Sequence, residues 1–271
     1  MPYRRAHWWL LALFPLAGLA FWRSYLSQVA TAPMEFHAHG VTASLWIVML
    51  AFQSWSIHSG RRELHRTVGP LSLALFPLFL AGGSTIFIGM AQRYAAALSP
   101  FYTLYAPRLA WLDIVGVGGI AYFYFEAIRQ RRKVHPHSRY LLATVIFLLP
   151  PILGRLMGSL PMLAPIDGDF TKLGIGFQIA NAITALIAFG LAVQSGKHGR
   201  PFFLAGILTV IAAMLYQTVG GMTWWKAVYA SAAAWPAAPF ALVAGLSGVA
   251  IGYCAWVAGR RPVAVDGALA A

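Results

Sequence analysis

The chain has 271 residues, of which 59% are hydrophobic and 10% charged. Soluble domains carry about 25% charged residues, so the composition excludes an ordinary soluble enzyme and indicates a membrane protein built as one bundle. The formal charge of +13 does not call for a nucleic-acid partner, because the basic residues fall in short loops between apolar runs, where membrane topology places them.

Eight apolar runs come near the ~20 residues that span a bilayer: 7–22, 40–57, 70–91, 109–128, 140–160, 173–194, 201–220 and 236–257. The expected fold is all-α, a polytopic transmembrane bundle of about eight helices over 1–261, with a disordered tail at 262–271. With both termini on one side, fourteen basic residues share that side, among them Arg4, Arg5, Arg61, Arg62, Arg66, Arg129 and Lys197. Five take the other (Arg23, Arg93, Arg108, Lys172, Lys226), and Arg155 remains inside the membrane. The positive-inside rule then sets both termini in the cytoplasm. The first run has a second reading, because Arg4-Arg5, an apolar stretch and Ala30-Thr31-Ala32 have the form of a signal peptide. Pro33 directly after the cut disfavours cleavage, so the run is expected to remain; cleavage would leave seven helices.

His37-Ala-His39 opens the second run on the outer side, and His39, Ala43, Trp46, Leu50 and Gln53 follow along one helical stripe. His58 and His65 lie at its inner end and in the loop beyond. The segments 94–107 and 221–235 are aromatic and alanine-rich, and are expected to lie along the outer surface over a cavity mouth. Most tryptophans, such as Trp8, Trp22, Trp225 and Trp256, fall near run ends, as an aromatic belt does.

The fourth and fifth runs form a hairpin around the turn 129–139. Asp113 and Arg155 each lie twenty-one residues from Val134 at its centre, which gives them equal depth in antiparallel helices. A lone charge at mid-bilayer costs roughly 2.5–3.5 kcal/mol on insertion scales, so the two are expected as partners in the outer part of the membrane. Pro150-Pro151 interrupts the fifth helix, as a kink or as the border of a binding site. His135-Pro-His137 leads into that helix; an extended lead-in would point both imidazoles the same way, and His37 and His39 could do likewise. Each pair then offers two ligands to a transition metal, or binds backbone carbonyls and lipid phosphates instead. RRELH (61–65) and RRKVH (131–135) occupy equivalent turns, a faint echo between two hairpins. Further on, Gln178, Asn181 and Gln217 come at depths similar to His39, Asp113 and Arg155. Gly248 and Gly252 have the spacing of close helix packing. Cys254 lies alone in an apolar run, so no internal disulfide forms, and it reads as inert packing.

A retinal site lacks its mid-helix lysine, and no H-E-x-x-H, Walker, G-x-S-x-G or C-x-x-C motif occurs. Heme b would have to lie near a membrane face, bound by His37 or His39 outside, or by His58 with His135 or His137 inside. The candidate site therefore has Asp113 as proton acceptor, Arg155 as anion clamp and His39 as proton shuttle or metal ligand. Candidate cofactor contacts are His37, His39, Gln53, His58, Gln178 and Asn181, and candidate metal ligands are His37, His39, His135 and His137.

The stretches FHAHGVTASLWIVMLAFQSWSIHSGRRELHRTVG (36–69) and HSRYLLATVIFLLPPILGRL (137–156) resemble a group of bacterial multi-pass membrane proteins of unassigned function. The likeness lies in the early histidine, the mid-helix Gln, the H-R-x-x-G turn and the later H-x-R…R pattern, and covers about the first 160 residues. It implies a bacterial inner membrane and no particular activity. In composition alone, the chain is also similar to b-type cytochromes and oxidase-maturation proteins. The leading expectation is an outer-leaflet site for a small redox-active or anionic ligand (heme, metal or quinone-like). The alternatives are a proton-coupled transporter and a non-catalytic assembly factor. In each case the bilayer is the partner, and the first two readings add a small molecule.

Overall fold

The computed structural model describes residues 3–166 and 169–260, so the tail expected at 262–271 lies outside the described residues. Helices make up nearly all of it, and the one sheet-like feature among the described residues is an isolated bridge between Ile166 and Asp169. Seven segments are long and apolar enough to cross a membrane, and the shorter run Ala6–Phe21 precedes them. That run is α1 (Ala6–Leu11) followed by α2 (Leu13–Phe21). The spans use α3 (Met34–His58), α5 (Ser72–Ala95, preceded by the short α4, Arg62–Val68) and α6 (Pro100–Arg129). The fifth apolar run divides into α7 (Val134–Ala143) and α8 (Leu149–Met157), joined by a 3₁₀ segment at Thr144–Leu148. Then come α9 (Leu173–Gln194), α10 (Arg200–Gln217), the short α11 (Thr223–Ser231) and α12 (Ala237–Ala258).

Prolines set several of these starts. Pro100, Pro150 and Pro201 sit in the first turns of α6, α8 and α10, where a missing N–H removes no hydrogen bond. The α7–α8 break thus takes the form of a tightened 3₁₀ turn ahead of Pro150.

α6 is the central element, with 44% of its apolar window buried against 17% for α12. On one side Trp46 and Leu50 of α3, Phe76 and Phe79 of α5, and Tyr124 of α6 form the larger core, which takes in Leu10 and Leu13 of the N-terminal run. On the other, Phe123 and Ala127 meet Tyr140 of α7, Ala188 of α9 and Phe202 of α10. In lipid such contacts hold by close packing rather than by exclusion of water. α12 lies against α5 in this way: a Cβ at Gly248 would stand 2.7 Å from Pro77 Cα, and one at Gly252 3.3 Å from a Leu73 methyl. Cys254 is exposed on the outside of α12 rather than packed.

The N-terminal run bridges the bundle, with α1 on α3 and α2 on α8. α11 covers the basic-poor end. Its Trp225 and Tyr229 are buried against Ala91, Ala106 and Ala110, and Trp225 donates to the Pro107 carbonyl at 2.6 Å. Trp225 is therefore a packing residue, not part of an interfacial belt. The segment expected to lie flat before residue 107 instead forms the first turns of α6.

Candidate functional site

Two of the most deeply placed charges are Asp113 of α6 and Arg155 of α8, the latter on the helix that packs against α2. Asp113 lies one turn before Gly116 and two before Gly119, the glycines facing the Phe147 ring; a Cβ at Gly119 would come 2.5 Å from that ring. Helical spacing puts Asp113 on the same face. Arg155 extends from α8 with its guanidinium 4.3 Å from the centre of the Phe21 ring, and donates to the Pro151 carbonyl at 3.1 Å. His39 of α3 stacks on Phe79 (6.4 Å, 22°), which in turn stacks on Trp46 (5.8 Å, 5°). The Trp46 indole N–H donates to Thr144 Oγ1 at 3.1 Å and fixes this aromatic floor against the 3₁₀ segment.

Asp113 and Arg155 form no ion pair. Among the described residues the only acid–base contacts within 4.0 Å are Glu35–Arg93 and Arg129–Glu126. The expected direct contact is therefore absent, although Arg155 lies within electrostatic reach of both Asp113 and His39. Both charges are deep in the bundle, yet each keeps part of its surface accessible, as does His39. His39 Nδ1 is buried without a hydrogen-bond partner. An acid, a cation and an imidazole with one unpartnered, buried nitrogen thus lie within electrostatic reach of one another.

The other candidates are dispersed. Gln178 donates to Gln217 and to the Ala213 carbonyl, both at 3.2 Å, tying α9 to α10. Asn181 is buried, donates to Phe177 one turn back, and leaves Oδ1 unpartnered. His58 Nδ1 contacts the Ser54 carbonyl at 2.7 Å. His37 Nδ1 meets the Tyr25 hydroxyl at 2.8 Å.

The expected chelating pairs do not form. Helix α3 starts at Met34 and α7 at Val134, so each H-x-H lies inside a helix, where residues two apart diverge by about 200°. His135 stacks on His198 and contacts Arg139, whereas His137 meets the Ala127 carbonyl at 2.8 Å. Ser138, at a suitable position for a cap, instead bonds back to Val134 within the helix. Among the described residues no three His, Cys, Asp or Glu side chains gather where they could hold a metal.

A cluster at the basic-rich end was not expected. With its amide nitrogen turned toward His65, Gln53 donates to His65 Nδ1 at 2.5 Å, and its oxygen accepts from Gly69 N–H at 3.2 Å. The His65 ring lies 6.5 Å from that of His137. The Gln and the H-R-x-x-G turn were both visible in the sequence, and the echo between the two basic turns was the one signal that could have joined them.

The fold defines a polytopic helical membrane protein. Compared with protein-family models, curated proteins and solved structures, the chain matches none.

Proposed function

We propose that the polar group formed by Asp113, Arg155 and His39 binds a small anionic or quinone-like ligand, with Arg155 as anion clamp, Asp113 as proton acceptor and His39 as hydrogen-bond donor or proton shuttle. The observation that carries this reading is the open pair. Two opposite charges at this depth attract strongly in a low-dielectric medium, and intramembrane ions that serve only the fold pair with one another. Here Asp113 and Arg155 stand apart with accessible surface, beside a buried imidazole nitrogen that has no protein partner. Phe21, against the Arg155 guanidinium, supplies an apolar wall on which a flat head group can lie.

We place the basic-rich end and both termini on the cytoplasmic face of a bacterial inner membrane. The charge bias supports this, as does the arrangement of the two chain ends. Tyr3 hydrogen-bonds Ser195, and Trp256 carries Arg131 over its ring at 4.2 Å.

The test is tryptophan-fluorescence titration of purified protein with a short-chain benzoquinone and with succinate, for wild type, Arg155→Gln, Asp113→Asn and the double variant. Arg155→Gln is expected to weaken binding at least tenfold, and the double variant to insert normally while remaining unable to bind. A double variant with wild-type binding, or wild-type protein that binds neither probe, overturns the proposal. Normal binding with uptake lost from proteoliposomes moves the reading to transport.

A further inference from the structure

A cleft opens at the basic-rich end, away from Asp113 and Arg155, where the C-terminal turns of α6 meet the starts of α7 and α10. Its volume is about 430 Å³, and its lining includes Tyr122, Lys133, Tyr140, Lys197, His198 and Arg200. The one carboxylate in the lining, Glu126, is already held by Arg129 at 2.7 and 3.1 Å and by Gln130 at 2.6 Å. Lys133, Lys197 and Arg200 have no acidic partner among the described residues. Three uncompensated cations therefore converge on one cavity. Two helices, α7 and α10, also start at its rim with their positive dipole ends.

The cleft does not end in a polar wall. Along α6, Ile114, Gly118 and Tyr122 recur every fourth residue on one face; Ile114 and Tyr122 are exposed, and nothing lies within 4 Å of a Cβ built at Gly118. On the neighbouring α10, Phe203 is exposed three residues beyond Arg200, and Ile207 one turn further. A shallow apolar track thus leads from the cationic cleft toward the opposite end of the bundle. A free phosphate would use the cations and leave that track without a role. A phospholipid uses both, since its phosphate sits at the membrane surface and its chains run inward.

We propose that this cleft is a specific site for one anionic phospholipid, its phosphate held by Lys133, Lys197 and Arg200, its glycerol region against Tyr122 and Tyr140, and an acyl chain along Ile114, Gly118 and Tyr122. The site is independent of the ligand proposed for Asp113, Arg155 and His39.

The test is native mass spectrometry of the full chain released from nanodiscs of phosphatidylcholine with and without phosphatidylglycerol. Wild type is expected to retain one phosphatidylglycerol. The variant Lys133→Gln/Lys197→Gln/Arg200→Gln should weaken that retention by about a hundredfold. A variant of equal charge loss elsewhere, Arg5→Gln/Arg62→Gln/Arg66→Gln, should keep it. Gly118→Leu has room to fold and should weaken phosphatidylglycerol retention while leaving the cations in place. Equal loss in the two charge variants overturns the site in favour of diffuse attraction. Displacement of the lipid by inorganic phosphate at millimolar concentration, or no effect of Gly118→Leu, overturns the lipid in favour of a free phosphate.

Discussion

Two acid–arginine couples lie toward the basic-poor end of the bundle, and they are built in opposite ways. Glu35 and Arg93 join α3 to α5 near the rim at 2.6 Å. The guanidinium is flanked by Phe36 at 5.0 Å and Tyr102 at 5.8 Å, and both side chains are mostly buried. Asp113 and Arg155, deeper in, make no such contact. The aromatic flank recurs, since Phe21 does for Arg155 what Phe36 does for Arg93, but the carboxylate does not close. The chain can therefore close a couple where two spans need tying, and the open couple reads as a place kept for something else.

Breaking the closed couple should have the largest effect. Glu35→Gln leaves Arg93 beneath two rings with no counter-ion. Removing one partner of a buried pair costs about 3–5 kcal/mol, and surface pairs cost about 1 or less, so about 2 kcal/mol is expected for this intermediate case. Thermal unfolding in detergent would measure it. Glu35→Gln/Arg93→Met should regain most of the loss, which a double-mutant cycle reads as coupling. Phe21→Ala comes next, at about 1 kcal/mol, because the aromatic contact beneath Arg155 disappears. It should also weaken ligand binding. Asp113→Asn should cost less than either, since no hydrogen bond or ion pair is lost and only the longer-range attraction to Arg155 goes, and still abolish binding. A coupling for Asp113–Arg155 as large as that for Glu35–Arg93 would erase the distinction between the couples.

Most of the bundle was legible because long apolar runs admit one solution in lipid, and the depth of Asp113 and Arg155 followed from counting along a hairpin. Their separation was not legible, since equal depth does not fix which way a side chain turns about its helix. The histidine pairs went astray for a related reason. Hydropathy marks where a helix enters the hydrocarbon, but α3 begins six residues before its apolar run, at Met34 after Pro33. Pro136 falls in the first turn of α7, which starts at Val134, and a proline there is compatible with a helix, so the lead-in is not extended. The closed Glu35–Arg93 couple leaves no mark in the sequence because its partners come from two hairpin arms at their polar ends, where any loop charge can serve topology.

The smallest expected effect concerns two like groups brought into contact. His198, in the turn between α9 and α10, stacks on His135 with ring centres 4.4 Å apart and planes 3° apart. Desolvation of the ring, then the charges of His135, Arg139 and Lys197, hold the His198 pKa below its ordinary 6.5. The folded protein thus favours the neutral ring, while an unfolded chain takes up its proton near 6.5. The stabilising contribution is full above that pH and is lost as the pH falls toward the lower folded value. Unfolding temperature should therefore drop more steeply below about pH 6.5 in wild type than in His198→Phe, where the ring cannot titrate. Anionic phospholipid in the neighbouring cleft opposes the same cations, so phosphatidylglycerol nanodiscs should flatten the wild-type slope and leave that of His198→Phe unchanged. Equal slopes in both lipids would separate the histidine stack from the cleft, whereas a slope that flattens only with the charged lipid ties the two together through Lys197.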